Sequence, residues 1–265
     1  MRRLIVGLAA LVWSGAALAD NCPGNTTALG VARVLTVDAR TTPKVGRKQF
    51  PHTLPLQPKE IVLTFDDGPL PGTTERVLEA LRRECVKATF FMVGQQAAAN
   101  PALARHVLAD GHSIGYHTYS HRLLDRIPRA AAESEIVRGF TAVDQALYGR
   151  TSLDPAGAFF RFPGFASSPA LLDELTRRRI VVFGADLWAS DWNIMSPIEE
   201  LRLLMNRLRT SGGGILLLHD TKARTAAMLP AFLRELKRGG YRIVQVMPAQ
   251  GTTLGGTPML TKLPH

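Results

Sequence analysis

The 265-residue sequence predicts an α/β fold, a small and incomplete (β/α) barrel of about seven strands behind an irregular N-terminal arm. Three observations predict it. From Glu60 onward short apolar runs alternate with amphipathic segments, and such regular alternation implies parallel strands. Nearly every run is apolar at successive positions, as strands covered on both faces require. No glycine-rich dinucleotide fingerprint follows the first run, so a Rossmann reading lacks its chemical mark.

The elements follow in order. Met1-Arg2-Arg3, an apolar stretch from Leu4 to Val12 and the small residues Ala17-Leu18-Ala19 predict a cleaved export signal over 1–19, with Asp20 as the mature start. The apolar stretch is short for a membrane span, and an uncleaved anchor is the alternative. No second segment reads as transmembrane. Residues 20–58 carry Pro23, Gly24, Gly30, Pro43, Gly46, Pro51, Pro55 and Pro58. They predict an irregular arm on the main domain, with a short strand within Val31–Val37, because so little apolar sequence cannot build its own core.

The barrel is expected over 59–247. Its predicted strands are Ile61–Phe65, Thr89–Val93, Ser113–Tyr116, Ala158–Phe162, Ile180–Gly184, Ile215–Leu218 and Tyr241–Val246. Its predicted helices are Thr73–Arg83, Pro101–Ala109, Arg129–Tyr148, Pro169–Arg178, Pro197–Arg209 and Ala226–Arg238. Val77, Leu78 and Leu81 share one face of the first. Ile136, Val137, Phe140, Val143 and Leu147 form the inner face of the longest. Residues 248–265 read as an irregular tail.

Composition narrows the class. Hydrophobic residues at 46% and charged residues at 20% exclude a disordered chain. The formal charge is +10, and loss of Arg2 and Arg3 with the signal leaves +8. Such a balance favours electrostatic contact with an anionic envelope. No aromatic-basic motif points to nucleic acid. The two cysteines, Cys22 and Cys85, both lie in the exported part, and an even count in an oxidising compartment invites a bridge. That bridge would clamp the arm onto the first helix; two free thiols are the alternative.

Polar residues gather at strand C-termini: Asp66-Asp67, His117 and His121, Arg161, Asp186 with Asp191 and Trp192, and His219-Asp220. In an α/β barrel these ends converge on the face where active sites are built. Asp66 and Asp67 point to opposite sides if they continue the strand, so they can serve different partners. His117-Thr-Tyr-Ser-His121 puts two imidazoles on one face if that segment is helical. Two histidines and one carboxylate, from Asp66 or Asp67, make an open catalytic metal site. His219 needs a carboxylate partner to act as an acid near neutral pH, and Asp186, Asp191 and Asp220 are candidates. Arg161 can hold a carboxylate base by a two-pronged contact. Trp188 and Trp192 offer aromatic faces for a sugar ring. His106 and His112 read as surface or helix-flanking residues.

These residues resemble the NodB-homology polysaccharide deacetylases, carbohydrate esterase family 4, from about Glu60 to Val246. Thr64-Phe-Asp-Asp-Gly-Pro69 matches the family's first motif and His117-Thr-Tyr-Ser-His121 its second. Arg161-Phe-Pro163, Asp191-Trp192 and Leu217-Leu-His219 resemble the third, fourth and fifth, in the family's order. The resemblance implies a distorted (β/α) barrel with fewer than eight units. It implies Asp67, His117 and His121 as ligands of a divalent metal, commonly zinc, with cobalt or another transition metal as alternatives. It further implies Asp66 as general base oriented by Arg161, and His219 as general acid oriented by Asp191. Trp192 and Leu217 would line the pocket for the acetyl methyl and sugar, and the backbone N–H at Gly164 would hold the oxyanion.

Two positions depart from the pattern. Gly164 stands where the third motif carries an aromatic, and Trp188 stands where the fourth carries an earlier aspartate. The expected function is metal-dependent removal of acetyl groups from N-acetylated sugars of an extracytoplasmic polysaccharide, peptidoglycan or a chitin-like oligosaccharide, by a periplasmic or secreted enzyme. The alternatives are a related hydrolase of a non-sugar amide or cyclic imide, and an inactive envelope glycan-binding protein.

Overall fold

The computed structural model describes residues 22–151 and 158–249. The expected export signal and all but the first two residues of the expected tail lie outside them. The strands are β1 (Arg33–Val37), β2 (Lys44–Val45), β3 (Glu60–Asp66), β4 (Thr89–Met92), β5 (Ser113–Tyr116), β6 (Phe159–Phe160), β7 (Val181–Phe183), β8 (Leu187–Trp188), β9 (Gly214–His219) and β10 (Arg242–Pro248). The helices are α1 (Thr74–Arg83), α2 (Gly94–Ala99), α3 (Pro101–Ala109), α4 (Arg129–Tyr148), α5 (Pro169–Arg177), α6 (Pro197–Ser211) and α7 (Ala223–Arg238).

Every ladder is parallel. The strand order is β1-β10-β3-β4-β5-β6-β7-β2, with β9 beside β3 and β8 beside β9. Among the described residues no ladder joins β7 to β8 or β9, so the sheet curls into a barrel without closing. All seven predicted strands are present. The structure adds β2 and β8, each two residues long, and the six-residue α2; elements this short carry no readable period.

The central strand β3 is buried at all seven positions. Its side chains alternate between two cores. Ile61, Leu63 and Phe65 join Leu216, Leu218 and the inner faces of the helices. Val62 joins Phe91, Phe159, Phe183 and Ile215 inside the barrel. Thr64 and Asp66 continue that inner column towards the C-terminal mouth. One expectation fails on α4: Val137 is 36% exposed, and Glu135 is buried instead. The carboxylate of Glu135 turns inward because two donors of the loop after β5 meet it there, as described below.

The arm is tied in by two strand pairings, a disulfide and side-chain contacts beyond β2. β1 pairs with β10, and β2 pairs with β7. Cys22 and Cys85 form a disulfide, beside which Asn25 Nδ2 donates to the Arg83 carbonyl at 2.8 Å. Beyond β2 the Gln49 side-chain Oε1 accepts the Ala185 N–H at 2.7 Å. The Asp186 carboxylate accepts the Arg47 N–H and the Thr53 hydroxyl at 2.8 and 2.6 Å. The stretch read as irregular therefore adds strands to the sheet and reaches its C-terminal mouth. Among the described residues no helix is long and apolar enough to cross a membrane.

Candidate active site

Asp66 ends β3 and His219 ends β9, and the two are register partners across the β3–β9 ladder. Their side chains leave neighbouring strands towards the barrel mouth. Arg161 follows β6 at the same level and is entirely buried. Its Nη1 donates to Asp66 Oδ1 at 2.6 Å and to Thr64 Oγ1 at 2.8 Å. Nη2 donates to the Gly184 carbonyl at 2.8 Å and Nε to the Phe183 carbonyl at 3.3 Å. The guanidinium also lies 4.2 Å from the centre of the Phe91 ring. The contact with Asp66 is one-pronged, not the two-pronged clamp expected. The remaining donors are taken by β7-end carbonyls, which leaves Asp66 Oδ2 free on the side of His117.

Asp67 departs from the strand with φ +78°, a conformation that costs a non-glycine residue about 1–3 kcal/mol. That turn sends the two carboxylates to different partners. Gly68 follows, and a Cβ there would lie 2.0 Å from Asp220 Oδ2, so the turn closes only over glycine. Asp220 is buried beneath it and accepts the Thr74 hydroxyl at 2.6 Å. Burial raises the Asp220 carboxyl to about 7.

Asp67, His117 and His121 bring three donor atoms within 4.8 Å of one another. Asp67 Oδ1 lies 3.1 Å from His121 Nε2 and 3.5 Å from His117 Nε2. The segment from His117 to His121 is a loop, not the helix that the spacing allowed. Left-handed backbone at Thr118 (φ +64°) and His121 (φ +60°) folds it so that the imidazoles meet, with ring centres 5.0 Å apart. Glu135 braces this loop, accepting the Ser120 N–H at 2.8 Å and hydroxyl at 2.9 Å. Gly139 lets α4 approach, since a Cβ there would lie 2.5 Å from the Thr118 carbonyl carbon.

The donor set fits a divalent cation. His117 Nδ1 lies 2.8 Å from the Arg161 carbonyl, which can only accept; Nδ1 therefore carries the proton and Nε2 presents its lone pair. Burial lowers the His117 pKa and keeps that ring neutral. Asp67 Oδ1 is buried without a hydrogen-bond partner among the described residues. Burial alone would raise the Asp67 pKa, but the close approach of His121 Nε2 and the charges of His117, His219 and His121 hold it well below the usual carboxylate range. An ionised carboxylate and two imidazole nitrogens of this kind suit zinc.

His219 Nδ1 lies 2.7 Å from Asp191 Oδ1, and its Nε2 faces Asp67 Oδ2 at 3.9 Å. Asp191 Oδ2 accepts the His219 backbone N–H at 2.8 Å and the Thr225 hydroxyl at 2.9 Å. Burial lowers the His219 pKa, but the hydrogen bond and charge of Asp191, with Asp66 and Asp67, raise it to about 9. Of the three candidate partners Asp191 alone reaches this imidazole. Asp186 is spent on Arg47, Thr53 and the Ile215 N–H, and Asp220 on Thr74.

Around this centre Leu217 is buried between Thr64 and Trp188 as their register partner. Trp192 is 50% exposed. A run of rings leads outward: His219 to Trp192 at 6.1 Å, Trp192 to Trp188 at 5.9 Å and Trp188 to Phe165 at 6.2 Å. Gly164 is exposed with φ +55°, and the next residue, Phe165, places its ring beside Trp188. Lys48 Nζ, from the arm, stands 5.2 Å from the Trp188 ring centre. Thr64, Glu135, Thr225, Phe165 and Lys48 went unread in the sequence as site residues. Thr64 lay within the first motif, and Glu135 lay on the inner stripe beside Ile136. The others had no local signal. His106 is exposed as expected, whereas His112 is buried against Phe90 and far from any role here.

The polysaccharide deacetylase family profile matches residues 54–179. A peptidoglycan-N-acetylglucosamine deacetylase from Bacillus cereus is 33% identical over 201 residues, covering 73% of this chain and 89% of the relative. The chain belongs to the polysaccharide deacetylase family. The peptidoglycan-N-acetylglucosamine deacetylase PgdA of Listeria monocytogenes is also 33% identical over 198 residues, 74% of this chain. This chain spans 40% of the length of that relative. Among solved structures the peptidoglycan deacetylase of Bdellovibrio bacteriovorus superposes with a TM-score of 0.72 at 32% identity, covering 82% of this chain and 59% of that one. The incomplete (β/α) barrel is the family's fold on this sequence.

Proposed function

We propose that this polysaccharide deacetylase family member removes acetyl groups from N-acetylated sugars of an extracytoplasmic polysaccharide, peptidoglycan or a chitin-like oligosaccharide, after export to the periplasm or beyond. The observation that carries the reading is the pairing of Asp66 with His219 across adjacent strands, with the Asp67, His117 and His121 donors beside both. The names of the bacterial relatives and the disulfide support an envelope setting. The surplus of basic residues supports contact with anionic envelope polymers.

Asp67, His117 and His121 would hold one divalent cation, zinc before cobalt or another transition metal. Such an ion supplies Lewis-acid polarisation of the acetyl carbonyl and lowers the pKa of the attacking water. Asp66, held by Arg161, takes the proton of that water through its free Oδ2. The backbone N–H of Gly164 helps to hold the oxyanion. His219 is oriented by Asp191 at Nδ1, so its Nε2 delivers a proton to the departing sugar amine. Trp192 and Leu217 line the pocket around the acetyl methyl and ring, and Trp188 and Phe165 extend an aromatic strip for neighbouring sugars. That strip favours a sugar over a non-sugar amide or imide.

Acetate release from defined chitooligosaccharides and peptidoglycan fragments, against a panel of amides and cyclic imides, tests the reading. Release from the glycans alone is expected. Turnover confined to the imides, or glycan binding without any acetate from metal-loaded protein, overturns it.

A further inference from the structure

Behind Asp191 lies a second buried carboxyl group. Glu200, on the first turn of α6, is fully buried, as are Asp191 and Thr225. Thr225 Oγ1 lies 2.9 Å from Asp191 Oδ2 and 3.0 Å from Glu200 Oε1. A hydroxyl carries one proton, so it cannot donate to both carboxyl groups. With both ionised, one anion would face the hydroxyl lone pairs in a fully buried setting, at a cost typical of a buried unpaired charge.

The surroundings decide which group carries the additional proton. Asp191 receives three donors: the backbone N–H of His219, its Nδ1–H and Thr225. Glu200 Oε2 has no hydrogen-bond partner among the described residues. Arg224 stands at ion-pair distance from it, yet the hydrogen bonds of that guanidinium go elsewhere. Its Nη1 donates to the Met195 carbonyl at 2.9 Å and its Nη2 to the Asp191 carbonyl at 2.6 Å. Nε is left 3.4 Å from Glu200 Oε2 without forming a hydrogen bond.

We propose that Glu200 is a positioning residue that is protonated in the working protein and donates to Thr225 Oγ1, directing the Thr225 proton onto Asp191. Glu200 then donates to Thr225 and Thr225 to Asp191, while His219 donates to Asp191 from the other side, so every junction has one donor and one acceptor. Asp191 stays ionised and locked against His219 Nδ1. Charged groups face Glu200 from each side: Asp191 and His219 from the strand ends and Arg224 from α7. Burial and the Asp191 charge raise the Glu200 carboxyl to about 7, against the opposing pull of Thr225, Arg224 and His219.

The functional part of this proposal rests on the deacetylase reading; the proton's location does not. Infrared difference spectroscopy of the free, metal-loaded protein at mildly acidic pH, wild type minus Glu200→Gln, is expected to show a deuterium-sensitive protonated-carboxyl band. Its absence overturns the proposal whatever the substrate. In kinetics, Glu200→Gln keeps a donor towards Thr225 and is expected to retain kcat within about twofold, whereas Glu200→Ala and Thr225→Val lower kcat about tenfold at unchanged KM. A Gln variant as impaired as the Ala variant would show that the carboxylate charge matters, and the proposal falls.

Discussion

Arg161 Nη1 donates to Asp66 Oδ1 at 2.6 Å in a pair closed to solvent, and it is the only arm of that guanidinium that reaches a carboxylate. The other arms end on backbone carbonyls, so Asp66 is anchored by one oxygen and available by the other. Asp66→Asn keeps an acceptor for Arg161 and leaves the Asp67, His117 and His121 donors in place. It is expected to retain metal and near-normal stability while kcat falls about 10²–10⁴-fold. Asp66→Ala strands a buried guanidinium and is expected to cost about 3–5 kcal/mol in denaturant unfolding. Substantial turnover by the Asn variant would remove Asp66 from the role of base.

His117→Ala removes the donor whose tautomer is set by the Arg161 carbonyl. Elemental analysis of the purified variant is expected to find the metal gone, and chelation of the wild type is expected to abolish acetate release reversibly. Full occupancy in the variant would refute the ligand role.

In the metal-free protein the His219 imidazole is expected to titrate near 9, from an ordinary value of 6.5. A raised folded-state pKa contributes stability that is fully present below 6.5 and is lost as pH rises through about 9. Asp191→Asn removes the carboxylate that opposes burial, so the same imidazole is expected to titrate lower than in wild type. NMR titration of both metal-free proteins measures this, and coincident midpoints would detach Asp191 from its orienting role.

The Cys22–Cys85 bridge closes a loop spanning 63 positions, worth about 4 kcal/mol by the chain-entropy argument. Cys22→Ser with Cys85→Ser is expected to lower unfolding stability by an amount of that order. Thiol titration of the folded wild type without reductant is expected to find neither cysteine reactive.

His112 lies away from the site, where Nδ1 accepts the Ala88 N–H at 3.2 Å. Burial, with the nearby positive charge of Lys87, lowers its pKa to about 3. Above 6.5 it is neutral in both states and contributes nothing to pH dependence. As pH falls below 6.5 the unfolded chain binds a proton that the folded chain refuses, and stability declines by up to about 1.4 kcal/mol per pH unit. Imidazole resonances that remain neutral down to pH about 4 would bear this out; a midpoint near 6.5 would not.

Much of the fold was legible because the barrel strands are apolar at most positions and the helices between them have clear faces. Ser113–Tyr116, Pro101–Ala109 and Arg129–Tyr148 have the predicted bounds. The arm was less legible. Lys44–Val45 has no pattern of its own and becomes a strand only because Val182 and Phe183 stand ready to pair with it. The charged centre was legible because its residues sit at strand ends in recognisable motifs. Its supports were not: Thr225 and Glu200 lie on helices, and nothing local marks a hydroxyl that will meet two distant carboxyl groups. His112 flanks the end of α3 as read, but its burial was not legible, because such a histidine looks solvated until Phe90 covers it.

The register of β3 against β9 has a further meaning. Asp66 and His219 are separated by the fixed spacing of neighbouring strands, about 4.8 Å between backbones, and by no loop. A single residue inserted into 214–218 would swing the imidazole out among the helices. Changes to the exposed Trp192 side chain or to Lys48 would leave Asp66 and His219 on their strands. The scaffold thus separates a fixed distance from a replaceable rim, so under the proposed function glycan preference can be altered at Trp192 and Lys48 without resetting the Asp66–His219 spacing.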